Sequence, residues 1–205
     1  MNYHQPFTSN LQTSSLPGPD DITRVELSNG IILLARSNFN SPSVTVRGHL
    51  LVGSLFDSDE KLGLSDFTAA ALMRGTQRRD FQEIYDALES VGASLGFNGA
   101  THVTGLGGRS LVEDLPLLLE LLNETLRQPA FPADQVERLR AQLLTGLTLR
   151  AQDTSDMASL TFDQIVYQDH PYSRPEDGWP ETIQAITRQD LVDFHARHYG
   201  SCGMV

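Results

Sequence analysis

Apolar and polar residues alternate with a period of two in the first part of the chain, which predicts β-strands. Two such runs, 22–27 and 31–36, flank Ser28-Asn29-Gly30, and an Asn-Gly turn between β-prone runs predicts a hairpin. A third strand is predicted over 44–55, where apolar residues recur at every second position. A further strand and turn are expected over 95–107, and the glycines of this region leave one side of the sheet with little side-chain bulk.

A period of 3.6 replaces this alternation later in the chain and predicts helices. The first helix is expected to begin near Leu64 and to end at Gly75, a good residue for a helix C-terminus. Asp80 and Glu83 form an acidic variant of a capping box before the second helix. Further helices are predicted at 112–127, from Pro132 onward, at 156–167 and at 188–199. Strands followed by helices predict an α+β fold, an antiparallel sheet covered on one face by helices.

Composition limits the classes of partner. The chain has 15 Lys and Arg against 26 Asp and Glu, a net charge of −11, so nucleic acid is not expected as a partner. Cys202 is the only cysteine, which excludes an intramolecular disulfide. Neither a signal peptide nor a membrane-spanning apolar run is present, so no membrane partner is expected and a cytoplasmic location is predicted.

The predicted domain organisation is one domain after a polar leader. Residues 1–21 are rich in Ser, Pro and Gly near their end, which is typical of a mobile segment. The 205 residues, 40% of them hydrophobic, suffice for one core, so residues 22–205 are predicted to form a single domain. Because Met204-Val205 is too short for the strand that it begins, this domain is expected to be truncated at its C-terminal end.

The most specific signal is the run 63–76, which reads Gly-Leu-Ser-Asp-Phe-Thr-Ala-Ala-Ala-Leu-Met-Arg-Gly-Thr. It resembles the zinc-binding helix of the inverzincin metallopeptidases, the pitrilysin and insulinase type that includes the mitochondrial processing peptidases, where Gly-Leu-x-His-Phe-x-Glu-His-x-Leu-x-x-Gly-Thr is found. The resemblance places the first His, the Glu and the second His at Asp66, Ala69 and Ala70. It places the third ligand, a Glu on a later helix, at Gly146. A zinc peptidase needs three ligands and a base, so the resemblance implies that all four groups are missing here.

Further segments resemble the same family in the same order along the chain. They are Glu-Asp-Leu-Pro at 113–116, Phe-Pro-x-x-x-x-Glu-Arg-x-Arg at 131–140, His-Pro-Tyr-Ser-Arg-Pro at 170–175 and the segment 194–199. Together with the helix motif they cover roughly 25–205, and their order makes chance agreement improbable. The resemblance implies a metallopeptidase-like N-terminal domain, with a second domain elsewhere in its own full-length chain.

The resemblance also implies a function. In this family, one subunit carries zinc and a second, degenerate subunit helps to enclose the peptide, so this chain is expected to support a zinc-bearing partner subunit in a heterodimer. No cofactor is expected in the chain itself. The related peptidases bind extended peptides at a sheet edge, which makes Leu95, Gly96, Phe97 and Asn98 candidate peptide-binding residues. Two alternatives remain: a structural subunit, similar to the core subunits of cytochrome bc complexes, that binds no peptide, and an active peptidase with unusual ligands.

Overall fold

The computed structural model describes residues 18–201 and 203–205; most of the predicted leader therefore lies outside the described residues. After a short 3-10 turn at Pro19–Asp21, β1 (Thr23–Glu26) and β2 (Ile32–Ala35) pair in antiparallel fashion. Gly30 in the connecting turn has φ of +86°, a conformation that glycine adopts without strain. The predicted hairpin is confirmed.

The main sheet has three antiparallel strands in the order β3-β5-β4. These are β3 (Ser43–Leu50), β4 (Ser94–Gly99) and β5 (Thr104–Leu111). β3 was predicted to continue to residue 55, but the strand ends at Leu50, so this predicted boundary was wrong. The chain leaves the sheet because Val52 N–H donates to Leu50 O at 2.8 Å, and Ser54 N–H then donates to Ala100 O at 3.1 Å. A turn against the β4–β5 loop therefore replaces the last residues of the predicted strand.

Seven α-helices are present in the described part of the chain. They are α1 (Leu64–Ala71), α2 (Phe81–Ser90), α3 (Leu115–Arg127), α4 (Ala133–Arg150), α5 (Thr154–Val166), α6 (Pro180–Ala185) and α7 (Arg188–His198). The capping box of Asp80 and Glu83 opens α2 as predicted, and Thr187 caps α7. Only α6 was not predicted. No helix among the described residues combines the length and hydropathy that crossing a bilayer requires.

The helices cover one face of the main sheet. Burial alternates along β5, with Thr104, Leu106, Gly108 and Ser110 buried on the helical side. The largest core cluster joins Phe67 of α1 to apolar residues of α4, α6 and α7. This is the predicted α+β arrangement, and it places the N-terminal half of α1 beside the end of β4.

Candidate functional site

A buried aspartate holds the N-terminus of α1 in place. Asp57 accepts hydrogen bonds from the backbone N–H groups of Gly63 and Ser65, each at 3.0 Å. Gly63 has φ of +90°, and a Cβ on it would lie 2.9 Å from the carbonyl oxygen of Asp177, so a larger residue would not fit there. Burial raises the pKa of Asp57 from 3.8 to about 7, although both hydrogen bonds and the positive charge of Arg174 oppose the rise.

This raised pKa predicts that stability falls as the pH rises. Between pH 3.8 and about 7 the folded protein keeps a proton on Asp57 that the unfolded chain has lost, so the free energy of unfolding decreases by up to about 1.4 kcal/mol per pH unit. Asp57→Asn cannot ionise, and the decrease should be smaller in that variant. Urea unfolding at a series of pH values across this window measures both slopes. Equal slopes for the two proteins would contradict the assignment.

The three motif positions on α1 differ in their surroundings. Ala69 has an exposed fraction of 0%, whereas Ala70 is partly buried and packs against the core. Asp66 is the only one with a polar side chain, and its Oδ1 accepts the backbone N–H of Gly99 at 3.1 Å. A Cβ on Gly99 would lie 2.7 Å from Asp66 Cα, so α1 and β4 approach as closely as their backbones allow. Burial raises the pKa of Asp66, and the nearby carboxylate of Asp177 raises it further.

The position on α4 that was predicted for the third ligand contributes no side-chain atom that could bind a metal ion. Gly146 is exposed, and a Cβ there would have no atom within 4 Å. The next residue, Leu147, is buried in the same cluster as Phe67. In the described ranges, no three His, Cys, Asp or Glu side chains come together as metal ligands. One carboxylate with two alanines does not fit zinc, which takes three protein ligands in catalytic sites.

An acidic cavity of about 340 Å³ opens beside Asp66. Its charged lining residues are Asp66, Arg150, Asp156, Asp163, Glu176 and Asp177. The one cation is already engaged, because Arg150 forms an ion pair with Asp177 and donates to Gly178 O at 3.0 Å. The cavity therefore favours cationic over anionic groups. Sequence reasoning missed this cluster because its members come from distant segments; the only local signal was Glu176-Asp177 directly after the 170–175 motif.

The structure places the four predicted peptide-binding residues on β4, which is an edge strand of the main sheet. Gly99 N–H points away from β5 to Asp66, while Ala100 N–H points to Val103 O. Because backbone groups alternate in direction along an antiparallel strand, the N–H groups of Leu95 and Phe97 also point away from β5. These groups have the direction that an added strand would need.

The side chains of β4 divide between the two faces of the sheet. Leu95 and Phe97 pack among the helices in the core. Gly96 and Asn98 lie on the opposite face, where Asn98 is exposed and a Cβ on Gly96 would meet nothing within 4 Å. These features define a class of protein: an α+β domain in which an open sheet edge runs beside α1 and an acidic cavity.

The model of the insulinase family, peptidase family M16, matches residues 33–175. The chain belongs to this family. It is similar to mitochondrial cytochrome b-c1 complex subunit 1 of Rattus norvegicus, with 25% identity over 89% of this chain and 38% of that protein. It is also similar to a probable mitochondrial-processing peptidase subunit beta of Arabidopsis thaliana, with 26% identity over 89% of this chain and 35% of the relative. An uncharacterized zinc protease of Mycobacterium tuberculosis is 30% identical over 72% of this chain and 34% of its own length.

Solved structures show the same fold. A peptidase M16 inactive domain from Pseudomonas fluorescens superposes with a TM-score of 0.84 and 28% identity, over 90% of this chain and 45% of that chain. A protease from Helicobacter pylori superposes with a TM-score of 0.82 at 20% identity, over 89% and 44% of the two chains, which shows the fold alone. The chain spans less than half the length of each of these relatives.

Proposed function

We propose that this chain is a non-catalytic domain of an M16 subunit, which supports a zinc-bearing partner subunit in peptide binding and proteolysis. The observation that carries the proposal is the chemistry at Asp66, Ala69, Ala70 and Gly146, where one carboxylate is the only possible ligand. A zinc ion would lack the protein ligands that hold it, and a water bound to it would lack the base that takes its proton. The similarity to an M16 inactive domain supports this assignment.

A partner subunit is supported by two of the relatives, which are named as subunits of larger assemblies. Peptide binding is supported by the open edge of β4, where the N–H groups of Leu95 and Phe97 point away from the sheet. Pairing with this edge requires only backbone groups, so it does not depend on the side chains lost from α1. The acidic cavity at the end of the edge adds a preference for peptides with cationic groups.

A second candidate function is a structural subunit that binds no peptide. The similarity to cytochrome b-c1 complex subunit 1 favours it. The two functions differ at β4: a structural subunit needs no free edge, whereas a peptide-binding subunit requires one. An active peptidase with other ligands would differ from both, because it would bind zinc stoichiometrically and hydrolyse peptides in the absence of a partner.

Substitution of Leu95 tests the peptide-binding function. Proline there removes an N–H that points away from β5 and leaves the ladder between β4 and β5 intact. Leu95→Ala is the matched control, because it loses similar side-chain packing and keeps the N–H. In the full-length protein with its zinc-bearing partner, we expect Leu95→Pro to weaken binding of a fluorescent extended peptide about tenfold relative to Leu95→Ala.

The assay needs three readouts: zinc content, peptide hydrolysis and peptide affinity, each for the full-length protein alone and with the partner. Hydrolysis by the full-length protein alone, lost on chelation, would show an active peptidase and refute the proposal. If the Leu95→Pro and Leu95→Ala variants bind the peptide equally well, and circular dichroism shows that both are folded, then β4 does not take part in peptide binding. Absence of any peptide affinity would favour the structural subunit.

A further inference from the structure

The outward N–H groups of β4 are not all available for pairing with a peptide. Leu95, Phe97 and Gly99 each direct an N–H away from β5, because backbone groups alternate in direction along the strand. The N–H of Gly99 is already engaged, since it donates to Asp66 Oδ1 at 3.1 Å. In the described ranges, no backbone carbonyl outside the sheet accepts the N–H of Leu95 or Phe97. The open edge of β4 therefore stops one pairing position before the strand itself ends.

The close approach of α1 to β4 makes this hydrogen bond possible. Gly99 has no side chain, and a Cβ there would lie 2.7 Å from Asp66 Cα and 3.0 Å from Asp66 Oδ1. A larger residue at 99 would therefore push the helix away from the strand. The first turn of α1 is held in turn by Asp57, which accepts the backbone N–H groups of Gly63 and Ser65. The carboxylate of Asp66 is thus held at the edge of β4 by the packing of its helix.

A peptide could not pair with Gly99 without displacing Asp66. In strand addition, a peptide carbonyl would have to accept the same N–H that Asp66 accepts. An ionised carboxylate only accepts hydrogen bonds, as a peptide carbonyl does, so the two groups repel each other. Asp66 and Gly99 both line the acidic cavity of about 340 Å³, which gives a peptide chain room to leave the sheet at this point.

We propose that Asp66 is a positioning residue, which ends the peptide-pairing edge at Phe97 and so sets the register of a peptide bound to β4. The inference rests on the proposed peptide-binding function and adds to it: pairing is confined to Leu95 and Phe97, and the peptide leaves the sheet beside Asp66. The position at which the family resemblance places the first zinc ligand thus has a different use in this chain.

Amide hydrogen exchange tests this register in the unaltered full-length protein with its zinc-bearing partner. The probe is an extended peptide of valine and threonine, acetylated and amidated at its ends, so that net charge does not drive its binding. We expect saturating peptide to slow exchange at Leu95 and Phe97 about tenfold and to leave exchange at Gly99 unchanged. Slower exchange at all three residues would overturn the proposal, because pairing would then extend past Asp66. Unchanged exchange at Leu95 and Phe97 would refute peptide pairing at β4 itself, and the role of Asp66 with it.

Two substitutions separate the hydrogen bond of Asp66 from its charge. Asp66→Ala frees the N–H of Gly99, so we expect the peptide to slow exchange at Gly99 as well and to bind at least about threefold more tightly. Asp66→Asn keeps an oxygen that can accept this N–H, so it should bind the peptide as the unaltered protein does.

The proposal is overturned if the Ala variant, shown to be folded by circular dichroism, lacks either of these gains. It is also overturned if the Asn variant behaves as the Ala variant does, because charge and not the hydrogen bond would then be the cause. In both cases slower exchange at Leu95 and Phe97 would leave the proposed peptide-binding function standing, so the two failures can be told apart.

Discussion

Replacing Ala69 by glutamate is expected to lower the free energy of unfolding by about 3 kcal/mol or more. Glutamate is the residue that the family resemblance places at this position, yet here the site has an exposed fraction of 0%. The new carboxylate would be placed at a position that is closed to solvent. Asp66 lies three residues earlier on the same helix, and burial already raises the pKa of its carboxyl, so a further negative charge is unfavourable.

The same substitution at Ala70 is the matched control, because Ala70 is the next residue of α1 and is only partly buried. Its glutamate can reach solvent, and we expect a loss of about 1 kcal/mol. Urea unfolding of both variants at neutral pH measures the difference. If Ala69→Glu is as stable as Ala70→Glu, then the helix can accept the family's catalytic group, and the packing around Ala69 does not oppose it.

Phe67→Ala is expected to lower the free energy of unfolding by about 3–5 kcal/mol. The Phe67 ring has an exposed fraction of 0% and belongs to the cluster that joins α1 to α4, α6 and α7. The guanidinium of Arg140 also lies over its face, 5.3 Å from the ring centre. Removal of the ring would leave a cavity at the point where these helices meet α1.

The control for this substitution is Phe39→Ala. Phe39 has an exposed fraction of 96%, so removal of its ring leaves no cavity, and the change in stability should stay within about 0.5 kcal/mol. Thermal and urea unfolding give both values. A loss below about 1 kcal/mol for Phe67→Ala would show that the cluster rearranges to fill the space, contrary to the close packing described above.

Much of the secondary structure was predictable because its causes are local. The turn at Gly30 and the caps at Asp80 and Thr187 depend on residues within a few positions of one another. The end of β3 was not predictable, since it depends on the contact of Ser54 with Ala100. The short helix α6 was missed as well, because six residues carry too little periodicity to be recognised.

In the candidate site, too, the features with local causes were predictable and those that depend on distant segments were not. Sequence alone located α1 and the residues at the motif positions, but it did not show that Ala69 is sealed from solvent. It also did not show that Asp66 binds Gly99, which lies 33 positions later in the chain. The strand that contains the peptide-binding candidates was predictable from its pattern, whereas its place at the edge of the sheet depends on strand order.

The sequence by itself determined which chemical groups this protein has on α1 and α4, and therefore which it lacks, because side-chain identity does not depend on folding. It also determined most helices and the hairpin, since those form from neighbouring residues. The tertiary structure decided which groups meet: the acidic cavity beside Asp66, the free edge of β4 and the hydrogen bond of Asp66 at the end of that edge. Each of these joins residues from distant segments, and only packing and strand register bring them together.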